Sequence, residues 1–328
     1  MATRISDRGA ALISVLLLVA IMSAAALAIA EVTSRSLQQI KLGDAQSQGL
    51  WFVSGAEEIG HTQIQLLQSQ GGLELNLLSP ALTNEFFFAS PVGGTMTARL
   101  RDASNCFNLN SLVTKDEFDE TIGNEDTIPI FRQLLQVYGV TESESESLAD
   151  ALVDWIDQDN SRRSRGAEDS QYIRRIIPYR TSGQLLENIS ELRAIEGFEA
   201  DLVQELEQVT CANESPEPTV WNINTLELQH APLLVAAFSG EISIQDAVNL
   251  LDDRPIGGWE AVDALLQDRT VARVPQDQRN TGFLGTISSR LEISGTAVFR
   301  GARQNFSVLY SVSSDQPLTT VRRTFGES

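Results

Sequence analysis

The run from Ala10 to Ala30 carries no charged residue. As an α-helix it is about 30 Å long, the thickness of a bilayer's hydrocarbon core. A secretory signal has a shorter apolar core, followed by a polar cleavage region ending in small residues. No such region follows Ala30. The chain continues as EVTSRSLQQIKLGDAQSQGLWFVSGAEEIGHTQIQLLQ and meets no proline before Pro80. Leu50, Val53, Ala56, Ile59, Ile64 and Leu67 recur at helical spacing, with Trp51 and Phe52 widening the stripe. The pattern predicts one long helix over 10–70, hydrophobic first and amphipathic after.

Charge bounds the partners of the full 328-residue chain. Lys plus Arg is 24 and Asp plus Glu is 44, a formal charge of −20. That field repels phosphate backbones and anionic lipid heads, which argues against nucleic acid as a partner. The two cysteines are Cys106 and Cys211 and the two histidines His61 and His230, with no CxxC, HExxH, GxSxG or GxxxxGK[ST]. Structural zinc, zincin, nucleophile-elbow and P-loop chemistry are therefore disfavoured. His61 reads as a helix-face residue and His230 as a loop residue. WIDQD could be imagined as a carboxylate pair for hydrolysis, but that chemistry needs a substrate cleft and a tuned acid, and the sequence alone shows neither. The reading is non-enzymatic.

Residues 95–101 alternate apolar and polar, as do 290–300 and 305–312, joined by GARQ into an expected hairpin. Between the first strand and this hairpin, ESLADALVDWI, ISELRAI, EADLVQELEQV and APLLVAAF show helical spacing. Strands before and after a helical block give an α+β class, a sheet with an inserted helical domain. ANESPEP at 212–218 reads as a loop and VPQDQRNTGF at 274–283 as an exit linker. The paired helices resemble helix–hairpin–helix units, but the turn IEGFEAD has one glycine and three acids, where a DNA grip needs glycines and nearby bases.

The strongest ligand candidate is DQDNSRRSRGAED, residues 157–169. With Asp157 first, Asp159 is third and Glu168 twelfth, the spacing of EF-hand ligands. Arg162 stands where that loop requires glycine and Ser161 is fifth, so this is not an EF-hand. A calcium loop of another shape and a surface where Arg162, Arg163 and Arg165 pair with the acids both fit the spacing. Asp154, one turn back on the preceding helix, is either a ligand or a surface acid.

Arg8-Gly9 followed by Ala10-Ala11-Leu12-Ile13-Ser14 resembles a type IV prepilin leader. CFNLNSL at 106–112, ALVDWIDQDN at 151–160, GAED at 166–169, PYRTSGQ at 178–184, ISELRAIEGF at 189–198 and WNINTLEL at 221–228 follow in order. Together they resemble the K-type minor pseudopilins of type II secretion systems. The resemblance implies cleavage between Gly9 and Ala10 by a prepilin peptidase, methylation, and retention of the apolar run as a single-pass inner-membrane anchor with a periplasmic soluble part. Ser14 becomes the fifth mature residue, where most of these proteins carry Glu. That carboxylate is understood to meet the terminal amine of the subunit ahead, so Ser14 suits a subunit at a fibre tip.

The implied fold is a pilin-like long N-terminal helix packed on an antiparallel sheet, with a large inserted helical domain. Its divisions are a leader at 1–9, a transmembrane half-helix at 10–30, the first pilin-like part at 31–112, the insertion at 113–280 and C-terminal strands at 281–328. The resemblance also implies calcium in the insertion, with Asp157, Asp159, Glu168 and Asp169 as its ligands, and more than one ion in all. The implied partners are the other minor pseudopilins of the tip, the major pseudopilin, the prepilin peptidase and secreted cargo. Cys106 and Cys211, the only cysteines, flank the helical block, and an oxidising periplasm permits a bond between them. Two other readings share parts of this pattern: a minor pilin capping a type IV pilus, and a stand-alone calcium-binding domain on a membrane anchor.

Overall fold

The computed structural model describes residues 7–90, 93–299, 302–313 and 316–326. Helix α1 spans Asp7–Ser69, 63 residues. Gly9 and Ala10 fall on its backbone, but their side chains, with those of Leu50 and Phe52, lie outside the described residues. Leu12–Ile40 is long and apolar enough to cross a membrane, and none of it is buried inside the protein. From Val53 onward the helix gains a partner. Val53, Ala56 and Ile64 are buried against a sheet. Gly60 allows the close approach, since a Cβ there would lie 3.1 Å from Ile293 and 3.3 Å from the Tyr310 hydroxyl. That hydroxyl donates to the Glu57 carbonyl at 2.9 Å. Gly71, at φ 68°, ends the helix in the left-handed conformation a Schellman-type cap favours, and the Gly72 N–H reaches the Leu67 carbonyl at 2.8 Å.

A single turn, α2 (Pro80–Thr83), leads into β1 (Glu85–Ala89) and β2 (Thr95–Asp102). The chain then leaves the sheet. It forms the short strands β3 (Phe107–Asn108), β4 (Val113–Lys115) and β5 (Thr121–Gly123), then α3 (Ile128–Val137), α4 (Glu142–Ile156), α5 (Asp169–Tyr172) and α6 (Ala200–Leu206). After β6 (Thr210–Cys211) and β7 (Trp221–Asn222) come α7 (Ala231–Ala237), α8 (Ile244–Asp252), α9 (Val262–Leu266) and β8 (Leu284–Gly285). It returns as β9 (Arg290–Phe299), β10 (Ala302–Ser311) and β11 (Thr319–Gly326). The sheet order is β1-β2-β9-β10-β11, antiparallel throughout. The expected α+β class, with a helical block inserted between strands of one sheet, is what the chain forms.

The strand period of two explains the sheet's faces. Met96, Ala98 and Leu100 of β2, Leu291 and Ile293 of β9, and Phe306, Val308 and Tyr310 of β10 point at α1 and form one core with it. Each such large apolar side chain contributes about 1.5–3 kcal/mol by leaving water. Thr97, Arg99 and Arg101 point the other way. At Gly295, opposite Ala98, a Cβ would fall 2.0 Å from the Thr97 carbonyl.

Several sequence expectations are corrected. GARQ is not the hairpin connection: Ala302 already pairs with Phe299, so Arg303 and Gln304 are strand residues. Arg300 and Gly301 between them lie outside the described residues. The edge strands β1 and β11 were not anticipated. EFFFA does not alternate, and TTVRRTFG is mostly exposed, so neither has a buried set to produce a period of two. ISELRAI forms a 3-10 helix, Ile189–Ala194, with Asn188 and Glu191 in a capping box. The expected exit linker is built of 3-10 turns, and its Phe283 packs on Trp221 and Phe107, with centroids at 5.3 and 6.4 Å. His230 is no loop residue. It ends a 3-10 turn and accepts from the Glu227 N–H at 2.9 Å, and burial pushes its pKa down to about 4.

The inserted part has its own core, built on Phe131, Leu134, Leu135, Leu152, Tyr172 and Trp221. Phe107, Leu109 and Leu112 join it from one side and Leu284 from the other. Asparagines stitch it to the sheet. Asn222 Nδ2 donates to the Leu75 carbonyl and to Ser288 Oγ, each at 3.0 Å, and its N–H donates to Asn105 Oδ1 at 2.9 Å. Beside this seam Cys106 and Cys211 are joined by a disulfide, with Cα atoms 5.7 Å apart, next to the parallel β3–β6 pair.

Candidate metal centre

Helix α4 opens with Thr141, whose hydroxyl caps the Glu144 N–H. It buries Leu148, Leu152 and Ile156 and stops at Asp157. Its last turns carry Asp150, Asp154 and Asp157, at i, i+4 and i+7, so the three acids share one face. The loop then runs to Glu168, the N-cap of α5, in a capping box with Gln171. The two helix ends bring Asp157 and Glu168 together, and Asp159 arrives from the loop. One carboxylate oxygen from each of the three lies within 4.8 Å of the others.

Asp157 and Glu168 are buried and Asp159 is exposed. Asp157 Oδ1 and Glu168 Oε1 are buried with no hydrogen-bond partner. Two buried, unpartnered carboxylate oxygens in a group of three acids are electrostatically costly unless a cation joins them. Burial, and then the neighbouring charges of Asp159, Asp154 and Glu168, push the Asp157 pKa up to about 7. Burial also raises Glu168, opposed by a hydrogen bond from the Asp169 N–H. Oxygen-only donors of this kind suit a hard cation such as calcium, which takes six to eight oxygens; carbonyls and water would supply the rest.

Asp169 does not join the group. Its Oδ1 accepts from the Thr181 N–H at 3.0 Å and hydroxyl at 3.1 Å, and its Oδ2 pairs with Arg180 at 2.9 Å. As the first residue of α5, it is turned toward the following loop, away from the preceding one. Asp154 is neither a surface acid nor one of the three. It is fully buried and receives the Arg163 N–H at 3.1 and 3.2 Å, which fixes the loop, and burial raises its pKa to about 6. Gly166 of GAED makes room for it: a Cβ there would sit 2.0 Å from Asp154 Oδ2.

The arginines do not neutralise the three acids. Arg163 pairs with Asp150 at 2.9 Å and Glu125 at 2.8 Å, Arg165 pairs with Glu146 at 3.2 Å, and Arg162 is exposed. Sequence reasoning missed Asp150 and Glu125. The i, i+4, i+7 spacing on α4 marked Asp150; nothing local marked Glu125.

Residues 105–215 match a family model described as "Type II secretion system (T2SS), protein K", and residues 221–286 match a second with the same description. The type II secretion system protein K of Pectobacterium carotovorum subsp. carotovorum is 33% identical over 290 residues, covering 85% of this chain and 84% of the relative. That of Klebsiella pneumoniae is 34% identical over 290 residues, covering 86% and 88%. A chain in the crystal structure of the GspK-GspI-GspJ complex from the type 2 secretion system of enterotoxigenic Escherichia coli superposes with a TM-score of 0.73. It is 27% identical, and the match covers 90% of this chain and 99% of that one. With the long apolar-then-amphipathic helix, the sheet and the inserted helical part all in place, the chain belongs to the protein K family of type II secretion systems, the K-type minor pseudopilins.

Proposed function

We propose that this chain occupies the tip of the pseudopilus, bound to I- and J-type minor pseudopilins, and supports export of folded proteins across the outer membrane. The observation that carries this reading is the likeness to a protein K chain solved together with GspI and GspJ, over nearly its whole length. Ser14 supports the tip position, because no carboxylate there calls for an amine from a subunit ahead. In this reading a prepilin peptidase cuts between Gly9 and Ala10 and the new terminus is methylated. The apolar half of α1 then stays in the inner membrane with the major pseudopilin, and the soluble part works in the periplasm, where it meets the tip partners and the secreted cargo. No catalytic step is assigned to it.

Calcium belongs to the same proposal. Asp157, Asp159 and Glu168 hold the ion, which supplies the positive charge that two buried, unpartnered oxygens lack. Asp154 and Asp169 hold the two ends of the loop.

The deciding experiment is co-purification of the detergent-extracted chain with its I- and J-type counterparts. A stable ternary complex is expected, together with a mature N-terminus at Ala10. Failure to bind either counterpart, or a terminus near residue 30, would sink the proposal. Ser14→Glu is expected to leave incorporation unchanged or lower it; incorporation along the whole fibre would rule out the tip.

A further inference from the structure

Among the described residues, Ile173, Ile176 and Ile177 form the apolar cluster least expected on this surface. They are 46%, 102% and 79% exposed and crown the loop that follows α5. The loop's base is clamped. Tyr172 and Tyr179 stack on each other with centroids 5.3 Å apart, and the Arg175 guanidinium lies against both, 5.0 and 5.2 Å from their ring centroids, and also reaches the Tyr179 hydroxyl and Glu196. Tyr179 Oη donates to the Ala194 carbonyl at 2.6 Å, and Tyr172 Oη accepts from the Glu196 N–H at 3.1 Å. Asp169 takes the Thr181 N–H from the far side, and Trp155 meets the Tyr172 ring edge-on at 5.4 Å. The crest is therefore held out to solvent by a packed base, so little ordering entropy would be lost when something covers it.

Charge gives the crest a direction. Residues 170–186 contain no Asp or Glu but do contain Arg174, Arg175 and Arg180, in a chain of formal charge −20. Glu196 and Asp169 answer two of these arginines, and Arg174 makes no ion pair among the described residues. An acidic partner is repelled by most of this molecule and admitted here, an arrangement that gives specificity. An anionic bilayer is extended and would meet the repulsive field of the whole chain, so the observations favour a local protein contact. A convex crest this small calls for a concave partner, and a two-fold contact between copies of this chain would set convex crest against crest and these arginines against one another.

We propose that the Ile173–Ile176–Ile177 crest is a docking surface that inserts into an apolar pocket rimmed by Asp and Glu on a different protein. The contact needs neither the tip position nor a bound ion, so its failure and the failure of the I/J complex are separate results.

The test places the photo-crosslinker p-benzoylphenylalanine at Ile176 of the full chain in secreting cells, with Gln245, an exposed polar position, as the control. The expected product is one protein, crosslinked at an apolar residue flanked by acids. The double variant Ile176→Asp, Ile177→Asp, read by a crosslinker at Ile173, should lower its yield about tenfold or more with an unchanged melting temperature. Arg174→Glu should lower the yield severalfold, and changing one pocket acid to Lys should restore it. Crosslinks to lipid, to a second copy, to a surface without acids, or no product above the Gln245 control would overturn the proposal.

Discussion

The two halves of the soluble part reach stability by different routes. In the sheet unit, one helix lies on a five-stranded sheet, and alternate residues along Met96–Leu100 of β2, Leu291–Ile293 of β9 and Phe306–Tyr310 of β10 feed a single core. The insertion has no sheet longer than a pair of short strands, and none of its helices exceeds the 15 residues of α4. Short elements leave many helix ends and turns whose polar groups need partners. The insertion meets that need with cross-links: a disulfide, buried asparagines and the buried Asp154, which accepts from the Arg163 N–H. Regular structure is held by burial along its length, and irregular structure by a few specific ties. Removing single ties should therefore separate the two units.

The largest separation should come from the disulfide. Cys106 and Cys211 lie 105 residues apart, and the chain-entropy model gives about 4.7 kcal/mol for a loop of that size. The double variant Cys106→Ser, Cys211→Ser should make α3, α4 and α7 exchange their amide protons orders of magnitude faster, while β9 and β10 keep most of their protection. Equal loss in both units would mean that they unfold as one body, and the comparison would fail.

Asn222 comes next. Asn222→Ala leaves the Leu75 carbonyl and Ser288 Oγ without their donor and the Asn224 N–H without its acceptor. Two or more buried groups left unpaired should cost about 2–4 kcal/mol. The loss should appear in both units, since Asn222 sits on the seam, and denaturant melts read by probes in each unit would record it. Confinement to the insertion would mean that the seam carries little.

The same contrast explains how much could be read beforehand. Burial leaves a period in the sequence, so α1, β2, β9, β10 and the α+β class were legible from Val53, Met96, Ile293 and their spacing. A tie leaves none. Asn222 and Asn224 stood out only as part of a family motif, and their partners at Leu75, Ser288 and Trp259 are far off in the chain. At the acid cluster, the loop spacing marked Asp157, Asp159 and Glu168. It could not separate Asp169 from them, because what turns Asp169 away is Thr181, twelve residues later. Nor could it foresee that Arg163 would leave these acids for Asp150 and Glu125.

Calcium should act on the insertion alone. A ligand that binds only the folded form stabilises by about 2.7 kcal/mol at a hundredfold excess over its Kd. Glu168→Ala should erase that response, while Asp169→Ala should lower stability and keep it. Asp157→Asn should abolish the response yet raise the melting temperature in chelator, because it removes a buried charge among like charges. The pH dependence in chelator follows from the raised pKa values, about 7 for Asp157 and about 6 for Asp154, against an ordinary 3.8. Between about pH 4 and 7 the folded state binds protons that the unfolded state has released, so metal-free stability should fall as pH rises through that window. Calcium needs these acids ionised, so its stabilisation should grow from pH 5 to pH 8. A melting temperature indifferent to calcium at every pH would remove the metal from the account.

The smallest effect should come from a tie in the sheet unit, where burial already holds the structure. Glu57 on α1 meets Arg323 of β11, with Nε to Oε2 at 2.9 Å, and Thr320 Oγ1 lies 3.4 Å from the same carboxylate. The Arg323 hydrogen bonds hold the Glu57 pKa below its ordinary value, against the opposing effect of burial. A depressed carboxylate contributes stability that is present above the unfolded value near 4.5 and is lost as pH falls through the folded one. The pair lies at the surface with Arg323 exposed, so salt screens it and holding two long side chains in place offsets much of its attraction. Glu57→Gln should therefore shift the melting temperature by no more than about 2 °C at pH 7 and by less at pH 3.5, with β9 and β10 protection unchanged. A shift as large as that of Asn222→Ala would show that the sheet unit also depends on single ties, and the contrast between the two units would have to be given up.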